Sequence, residues 1–272
     1  MDVGALRITP IVDGSMDVPP QFLFPTTTEQ DWEPHRSLLT ASGLLPLPVG
    51  GFLVQTDERV MLVDAGVGLP SSSPDFGHLL EHLALAGVTP EAITDVVFTH
   101  LHFDHVGWAT NEDAPVFVNA TYRAHAADLE YFDDPQLDDY QTGKLMGAVL
   151  SPRERLAPVR DRIVPFDGDV TLAPGVDIRS APGHTPGSAV VVLSSGLDRA
   201  LLLGDVVHCP VELVDDEWAA IGDVDPVLAR RTRELWSAEA AGERTITAAP
   251  HFPGMEMGRL LGGTGTRRWI FT

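Results

Sequence analysis

Short apolar runs separated by polar or Gly/Pro breaks dominate the chain, and only a few stretches carry helical spacing. Leu6 to Ile11 predicts a first strand. The runs that begin at Gly51 and Arg59 flank the polar pair Asp57-Glu58 and predict a hairpin ending at Asp64. Phe76, Leu79, Leu80 and Leu83 predict a helix over 75–87, stopped at Gly87. Asp95 to Thr99 reads as a buried strand, Val116 to Asn119 as another, and Thr121 to about Asp133 as helical. Later strands are expected near Ile163, Val170, Val176–Ser180, Ala189–Leu193, Ala200–Leu203, Thr245–Ala249 and Arg267–Phe271, with a helix over Pro226–Ala241. Two batches of strands, each followed by helix, predict an α/β protein of two sheets packed face to face with helices outside. No linker or composition break divides it, so residues 1–272 read as a single domain. Residues 12–48, rich in Pro and aromatics without periodicity, read as a long loop that lines a pocket or forms a dimer.

Composition narrows the function. The formal net charge is −21, from 18 basic and 39 acidic residues. A surface of that sign repels phosphate backbones and anionic membranes, which argues against nucleic-acid and membrane partners. The single cysteine, Cys209, excludes a disulfide framework and a cysteine-cage metal site. No apolar run approaches the roughly 18 residues of a membrane span, and the first residues lack a secretory signal, so a cytoplasmic protein is expected.

Histidine carries the chemistry. His100, His102 and His105 fall with Asp104 in one short segment, and imidazole with carboxylate is the ligand set that zinc and related divalent ions accept. In an extended segment, His100 and His102 would point the same way and grip one ion. Asp104 and His105, at the turn beyond, would reach a second. His184, Asp205 and His251 each emerge where an apolar run stops, the place where sheet proteins assemble sites from distant parts of the chain.

The ordered pattern His100-x-His102-x-Asp104-His105, then His184, Asp205 and His251, resembles the metallo-β-lactamase-fold hydrolases, as does Asp64 in Leu-Val-Asp-Ala-Gly. The resemblance runs from about Gly50 to His251. It implies an αβ/βα four-layer sandwich with a dinuclear site for two divalent ions, zinc first, with iron, manganese or cobalt as alternatives. It places His100, His102 and His184 on one metal, Asp104, His105 and His251 on the other, Asp205 as the bridge, and Asp64 behind the histidine loop. Two bridged ions would lower the pKa of a shared water toward ~7 and supply hydroxide to a carbonyl or phosphoryl centre.

Within that superfamily the segment around His100 resembles the N-acyl-homoserine lactonases and the methyl-parathion-hydrolase-like branch. Those lactonases carry a tyrosine three residues after the bridging aspartate, where this chain has His208. An imidazole there can protonate a leaving alkoxide, so His208 joins Asp104 as a catalytic candidate. Phe22, Phe24, Phe103 and Trp108 are the candidate pocket residues for a small lactone or ester. A hydrolase of phosphotriesters, phosphodiesters or aryl esters on the same ligands stays open, as does a non-catalytic metal-binding regulator.

Overall fold

The protein is described by a computed structural model over residues 1–262 and 267–272. Along the chain come β1 (Asp2–Val3), β2 (Leu6–Val18), β3 (Leu45–Gln55), β4 (Val60–Val63) and β5 (Asp95–Val97). A small ribbon of β6 (Thr110–Asn111) and β7 (Ala114–Pro115) stands apart. β8 (Thr121–His125) and β9 (Ile163–Phe166) then complete a seven-stranded sheet in the order β1-β2-β3-β4-β5-β8-β9. The second sheet keeps chain order: β10 (Val170–Ala173), β11 (Val176–Ser180), β12 (Ala189–Ser195), β13 (Asp198–Leu202), β14 (Thr245–Ala248), β15 (Gly258–Gly262) and β16 (Arg267–Phe271). Both sheets are mixed: β4, β5, β8 and β9 run parallel, as do β13 and β14, and the other neighbours are antiparallel. The helices are α1 (Pro20–Leu23), α2 (Leu79–Leu85), α3 (Phe103–Val106), α4 (Ala126–Tyr131), α5 (Pro152–Leu156), α6 (Val211–Val214) and α7 (Pro226–Ala240). Among the described residues, no helix is long and apolar enough to cross a membrane.

Alternation within the strands explains the layers. In β4, Met61 and Val63 join Phe52, Ile178, Val191 and Leu202 in the core between the sheets. Leu62, between them, turns outward onto Leu79 and Leu83 of α2. In β12, Val191 and Leu193 face the other sheet, whereas Val190 and Val192 pack with Trp236 of α7. Strands buried on both faces read as continuous apolar runs rather than as alternating ones. The result is the four-layer αβ/βα sandwich expected from the resemblance. α7 starts where the Asp225 carboxylate accepts the amides of Val227 and Leu228, with Pro226 in the first turn.

The structure departs from the sequence reading in several places. Residues 12–48 are not a loop throughout: β2 continues to Val18 and β3 begins at Leu45, forming one long hairpin. Its register slips between Val12 and Gly14, leaving Asp13 out of the pairing. Between the strands, the excursion folds back on Phe24, Trp32 and Trp218, whose rings pack at 4.8–5.6 Å, edge-on at Trp218 and tilted between Phe24 and Trp32. Residues 116–119 form a turn, not a strand, because the slot beside β5 is taken by β8. The turn is closed by the Tyr122 hydroxyl, which accepts from the Phe117 amide and donates to the Ala109 carbonyl. Helix therefore starts only at Ala126, after the strand, with the His125 ring accepting the Ala127 amide. The helix expected over 75–87 spans only Leu79–Leu85, and β5 stops at Val97, two residues short of Thr99. β15, flanked by Gly258 and Gly262, had no apolar run long enough to announce it.

Leu202 faces the layer between the sheets and is almost fully buried. Leu202→Ala is expected to cost about 2–5 kcal/mol. Leu197→Ala, at a turn where the side chain is 76% exposed, is expected to change stability by less than about 0.5 kcal/mol. Chemical denaturation of the two variants checks the contrast.

Candidate metal centre

All seven histidines and aspartates of the sequence pattern meet at one edge of the sandwich. His100 and His102 lie on the loop after β5, and Asp104 and His105 on α3 immediately beyond. His184 sits in the loop between β11 and β12, Asp205 in a single turn after β13, and His251 just past β14. His100 and His102 do not share a strand face as expected, since the chain bends at Thr99 and His100. The bend nonetheless brings the His100 Nε2 atom to 2.9 Å from His102 Nδ1, which is itself 3.0 Å from His184 Nε2. The ligand atoms of His100, His102, His184 and Asp205 all lie within 4.8 Å of one another, as do those of Asp104, His105 and His251. Among the described residues no other such group forms.

Each imidazole is fixed from behind. His102 Nε2 is held by Gln141 Oε1 at 2.9 Å, His184 Nδ1 by Asp223 at 3.1 Å, and His251 Nδ1 by the Pro48 carbonyl at 2.8 Å. His105 Nδ1 donates to Asp64 Oδ2 at 3.0 Å. The same Asp64 oxygen accepts the Thr99 hydroxyl, which in turn stands 3.2 Å from His100 Nδ1. An acceptor on the outer nitrogen places the proton there and leaves the inner lone pair free. Five inner nitrogens therefore converge as acceptors on a common centre. Like groups this close repel unless a cation lies among them.

Asp205 stands between the two groups. Its oxygens lie 3.7 Å from His100 Nε2, 3.6 Å from His184 Nε2, 3.3 Å from His105 Nε2 and 3.2 Å from His251 Nε2. His105 Nε2 and Asp205 Oδ1 are buried without a hydrogen-bond partner, the kind of orphan a bound ion explains. Burial, reinforced by the neighbouring His105 ring, holds His100 well below the ordinary imidazole pKa. Burial and neighbouring His184 take His102 down to about 3. Both rings are thus neutral, the form that binds metal. Burial opposes the ionised form of Asp205, but His251, His105, His208 and His100 together hold its pKa far below the usual carboxylate range. The donor set is nitrogen and oxygen only and suits two divalent cations.

Behind the donors lie buried carboxylates that sequence reasoning reached only at Asp64. Asp64 takes a left-handed backbone (φ +62°), an uncommon state for a residue other than glycine, and its carboxylate accepts both the amide and the hydroxyl of Thr99. Gly51 makes room for that turn, because a Cβ there would fall 2.0 Å from the Asp64 carbonyl oxygen. Asp128 of α4 accepts from the amides of Leu101 and Gly187 and from the Thr185 hydroxyl, tying the His100–His102 loop to the His184 loop. Desolvation raises the Asp128 pKa to about 6 against those bonds. Asp13, at the register slip of β2, accepts from the amides of Val67, Gly68 and Leu79 and from the Trp108 indole. Nothing local in the sequence marks Asp13 or Asp128, since their partners lie on other segments.

A cavity opens over the donors, lined by Phe22, Leu47, Phe103, Tyr140, His208 and Ile221 among others. Of the four aromatic pocket candidates, Phe22 and Phe103 line this cavity. Phe24 does not: it is fully buried in the Trp32–Trp218 cluster. Trp108 is likewise core, anchored by its bond to Asp13. The excursion between β2 and β3 touches the metal cavity through Phe22 and Leu23, while a separate concavity of about 710 Å³ opens on its outer side, near Arg36 and Thr40. His208 Nε2 is 3.4 Å from Asp205 Oδ2, and its ring stacks on His251 at 5.8 Å and 5°. Burial pushes its pKa down, but the Asp205 carboxylate outweighs this and lifts it to about 9. Tyr140 enters from an irregular acidic stretch, with burial and nearby Asp104 and Asp205 pushing its phenol pKa up. As an isolated tyrosine in a loop it had no motif to reveal it. Cys209 is buried and its thiol pKa pushed up by that burial, so it is a packing group.

The sequence matches the metallo-beta-lactamase superfamily over residues 46–249, and the chain belongs to that superfamily. An N-acyl homoserine lactonase of Bacillus thuringiensis is 27% identical over 227 residues, covering 75% of this chain and 82% of that protein. Metallo-beta-lactamase domain-containing protein 1 of Mus musculus is 29% identical over 200 residues, covering 72% of this chain and 63% of its own. Among solved structures, the dizinc quorum-quenching lactonase AidC superposes with a TM-score of 0.85 at 23% identity, over 99% of this chain and 95% of that one. A hydrolase of the same superfamily, AbOPH, superposes with a TM-score of 0.85 at 25% identity, with the same coverage.

Asp64→Asn keeps the size of the side chain but replaces one acceptor oxygen by a donor facing Thr99 or His105. Uptake of divalent metal is expected to weaken by about 10- to 100-fold, measured by competition with a coloured chelator.

Proposed function

We propose that the protein is a dinuclear, zinc-dependent lactonase that opens the ring of N-acyl homoserine lactones. The observation that carries this reading is the convergence of five inward imidazole lone pairs around Asp205, in a chain related to an N-acyl homoserine lactonase over 75% of its length. In this reading His100, His102 and His184 hold one ion, Asp104, His105 and His251 the other, and Asp205 both. When bound, such a pair of ions supplies a water acidic enough to attack a carbonyl and a Lewis acid for the carbonyl oxygen.

The chain's own groups supply the rest. Asp104 is the most exposed of the donors and borders the cavity, so its carboxylate is placed to take up a proton released during attack. His208, across the cavity and next to Asp205, is placed to return a proton to the alkoxide that leaves when the ring opens. Tyr140 keeps its hydroxyl proton at neutral pH and presents a donor at the cavity wall. Phe22, Leu47, Phe103 and Ile221 form an apolar lining suited to an acyl chain. The strong negative charge of the chain favours a neutral substrate over a polyanion.

The test is a parallel turnover measurement on metal-quantified enzyme with acyl-homoserine lactones, aryl esters and phosphotriesters. Lactone opening fastest of the three supports the reading, and preference for phosphotriesters sinks it. Two equivalents of metal without turnover of any substrate would leave only the metal-binding regulator. Asp205→Asn is expected to weaken binding of both ions and reduce turnover below detection, and near wild-type activity would refute the bridge. His208→Gln, with metal content unchanged, is expected to lower kcat by roughly 10²- to 10⁴-fold.

A further inference from the structure

Arg233 of α7 heads the largest fully buried side chains and is only 2% exposed, whereas Arg230 and Arg231 beside it face solvent. A guanidinium stays charged at any ordinary pH, so its burial demands matching partners. Nη1 lies 3.3 Å from Glu212 Oε1 and donates to the Val206 carbonyl at 3.3 Å, while Nη2 lies 3.9 Å from Asp223 Oδ2. Both carboxylates are themselves almost fully buried, and among the described residues no other Arg or Lys pairs with either. Each carboxylate turns its other oxygen toward the metal centre. Asp223 Oδ1 is 3.1 Å from His184 Nδ1. Glu212 Oε2 accepts the amides of His208 at 2.7 Å and Cys209 at 3.1 Å.

We propose that Arg233 is a positioning residue for the site: one buried guanidinium that fixes the His184 tautomer through Asp223 and the placement of His208 through Glu212. Along the first branch, the Asp223 carboxylate, held from its far side, accepts from His184 Nδ1, so that His184 offers Nε2 to the centre. Along the second, Glu212 clamps the start of the segment that holds the His208 ring against His251 and over Asp205. The contact to Val206 adds a third hold, on the residue after Asp205. The guanidinium fork reaches both carboxylates at once, which an ammonium, as a single point charge, does not. One buried cation thus ties the β11–β12 loop, through Asp223, to two further stretches of the connection between β13 and β14, at Val206 and Glu212.

The inference rests on the proposed metal-dependent hydrolase, and its test separates the two. Arg233→Met, Arg233→Lys, Asp223→Asn and Glu212→Gln are compared, with Arg231→Met as the exposed control. Metal affinity is read by chelator competition with no substrate present, and kcat and KM are read on metal-saturated enzyme. Arg233→Met is expected to bind the weaker of its two ions about 10- to 100-fold less tightly. Its kcat on saturated enzyme falls with KM little changed. Asp223→Asn reproduces chiefly the loss of metal affinity, Glu212→Gln chiefly the loss of kcat, and Arg233→Lys recovers no more than one of the two. A folded Arg233→Met protein with wild-type metal affinity and kcat overturns the proposal. So does a lowered melting temperature with neither functional quantity changed, which is the mark of a merely structural role. If Arg233→Met fails to fold, wild-type behaviour of both carboxylate variants overturns it instead. Should the wild-type enzyme open no lactone, the substrate assignment fails, and the metal affinities of Arg233→Met and Asp223→Asn still decide the role of Arg233.

Discussion

Everything at the site depends on how the ends of loops are held in the absence of a hydrogen-bond ladder. The donors stand past the ends of strands, where neighbouring amides have no partner strand. Their places are taken by buried carboxylates: Asp64 under Thr99, Asp128 between Leu101 and Gly187, and Asp13 under Val67, Gly68 and Leu79. A carboxylate accepts several donors at once and binds each more strongly than a neutral oxygen does. That makes it a compact fastener for segments arriving from different directions. The cost of burying each negative charge is offset by the amides it collects and, at Asp64, by the His105 ring as well.

How much of this was legible follows from the range of the interactions. Met61, Val63, Val191 and Leu202 advertised their strands because burial on both faces requires an unbroken apolar run. His100 through His105 were legible because four side chains able to bind metal crowd into six residues. His184, Asp205 and His251 showed themselves by standing just past apolar runs. Asp128, Asp223, Gln141 and Tyr140 stayed hidden, because each acts on a residue far away in the chain and carries no local signature. The turn at 116–119 misled for a related reason: its residues are apolar because Phe117 is core, not because they pair. Phe24 and Trp108 were the converse error, aromatics assigned to a pocket when they serve the core.

The electrostatics of the site and of the surface differ in kind. Outside, the excess of carboxylates repels anions over a distance set by the ionic strength. Inside, each buried carboxylate faces specific donors: backbone amides at Asp13 and Asp128, histidine rings at Asp64 and Asp205, and the guanidinium of Arg233 at Glu212 and Asp223. His208 shows the coupling: the buried Asp205 carboxylate lifts its pKa against the desolvation that would lower it.

The donors are drawn from both halves of the sandwich. His100, His102, Asp104 and His105 follow a strand of the first sheet, while His184, Asp205 and His251 follow strands of the second. Neither half alone offers the complete set, so tight metal binding exists only in the docked, native arrangement. Ligands that bind only the native state stabilise it by mass action, by about 2.7 kcal/mol when present at a hundred times the dissociation constant. Ions held at the centre would therefore act as a clasp between the two sheets, adding to the stability of the docked arrangement.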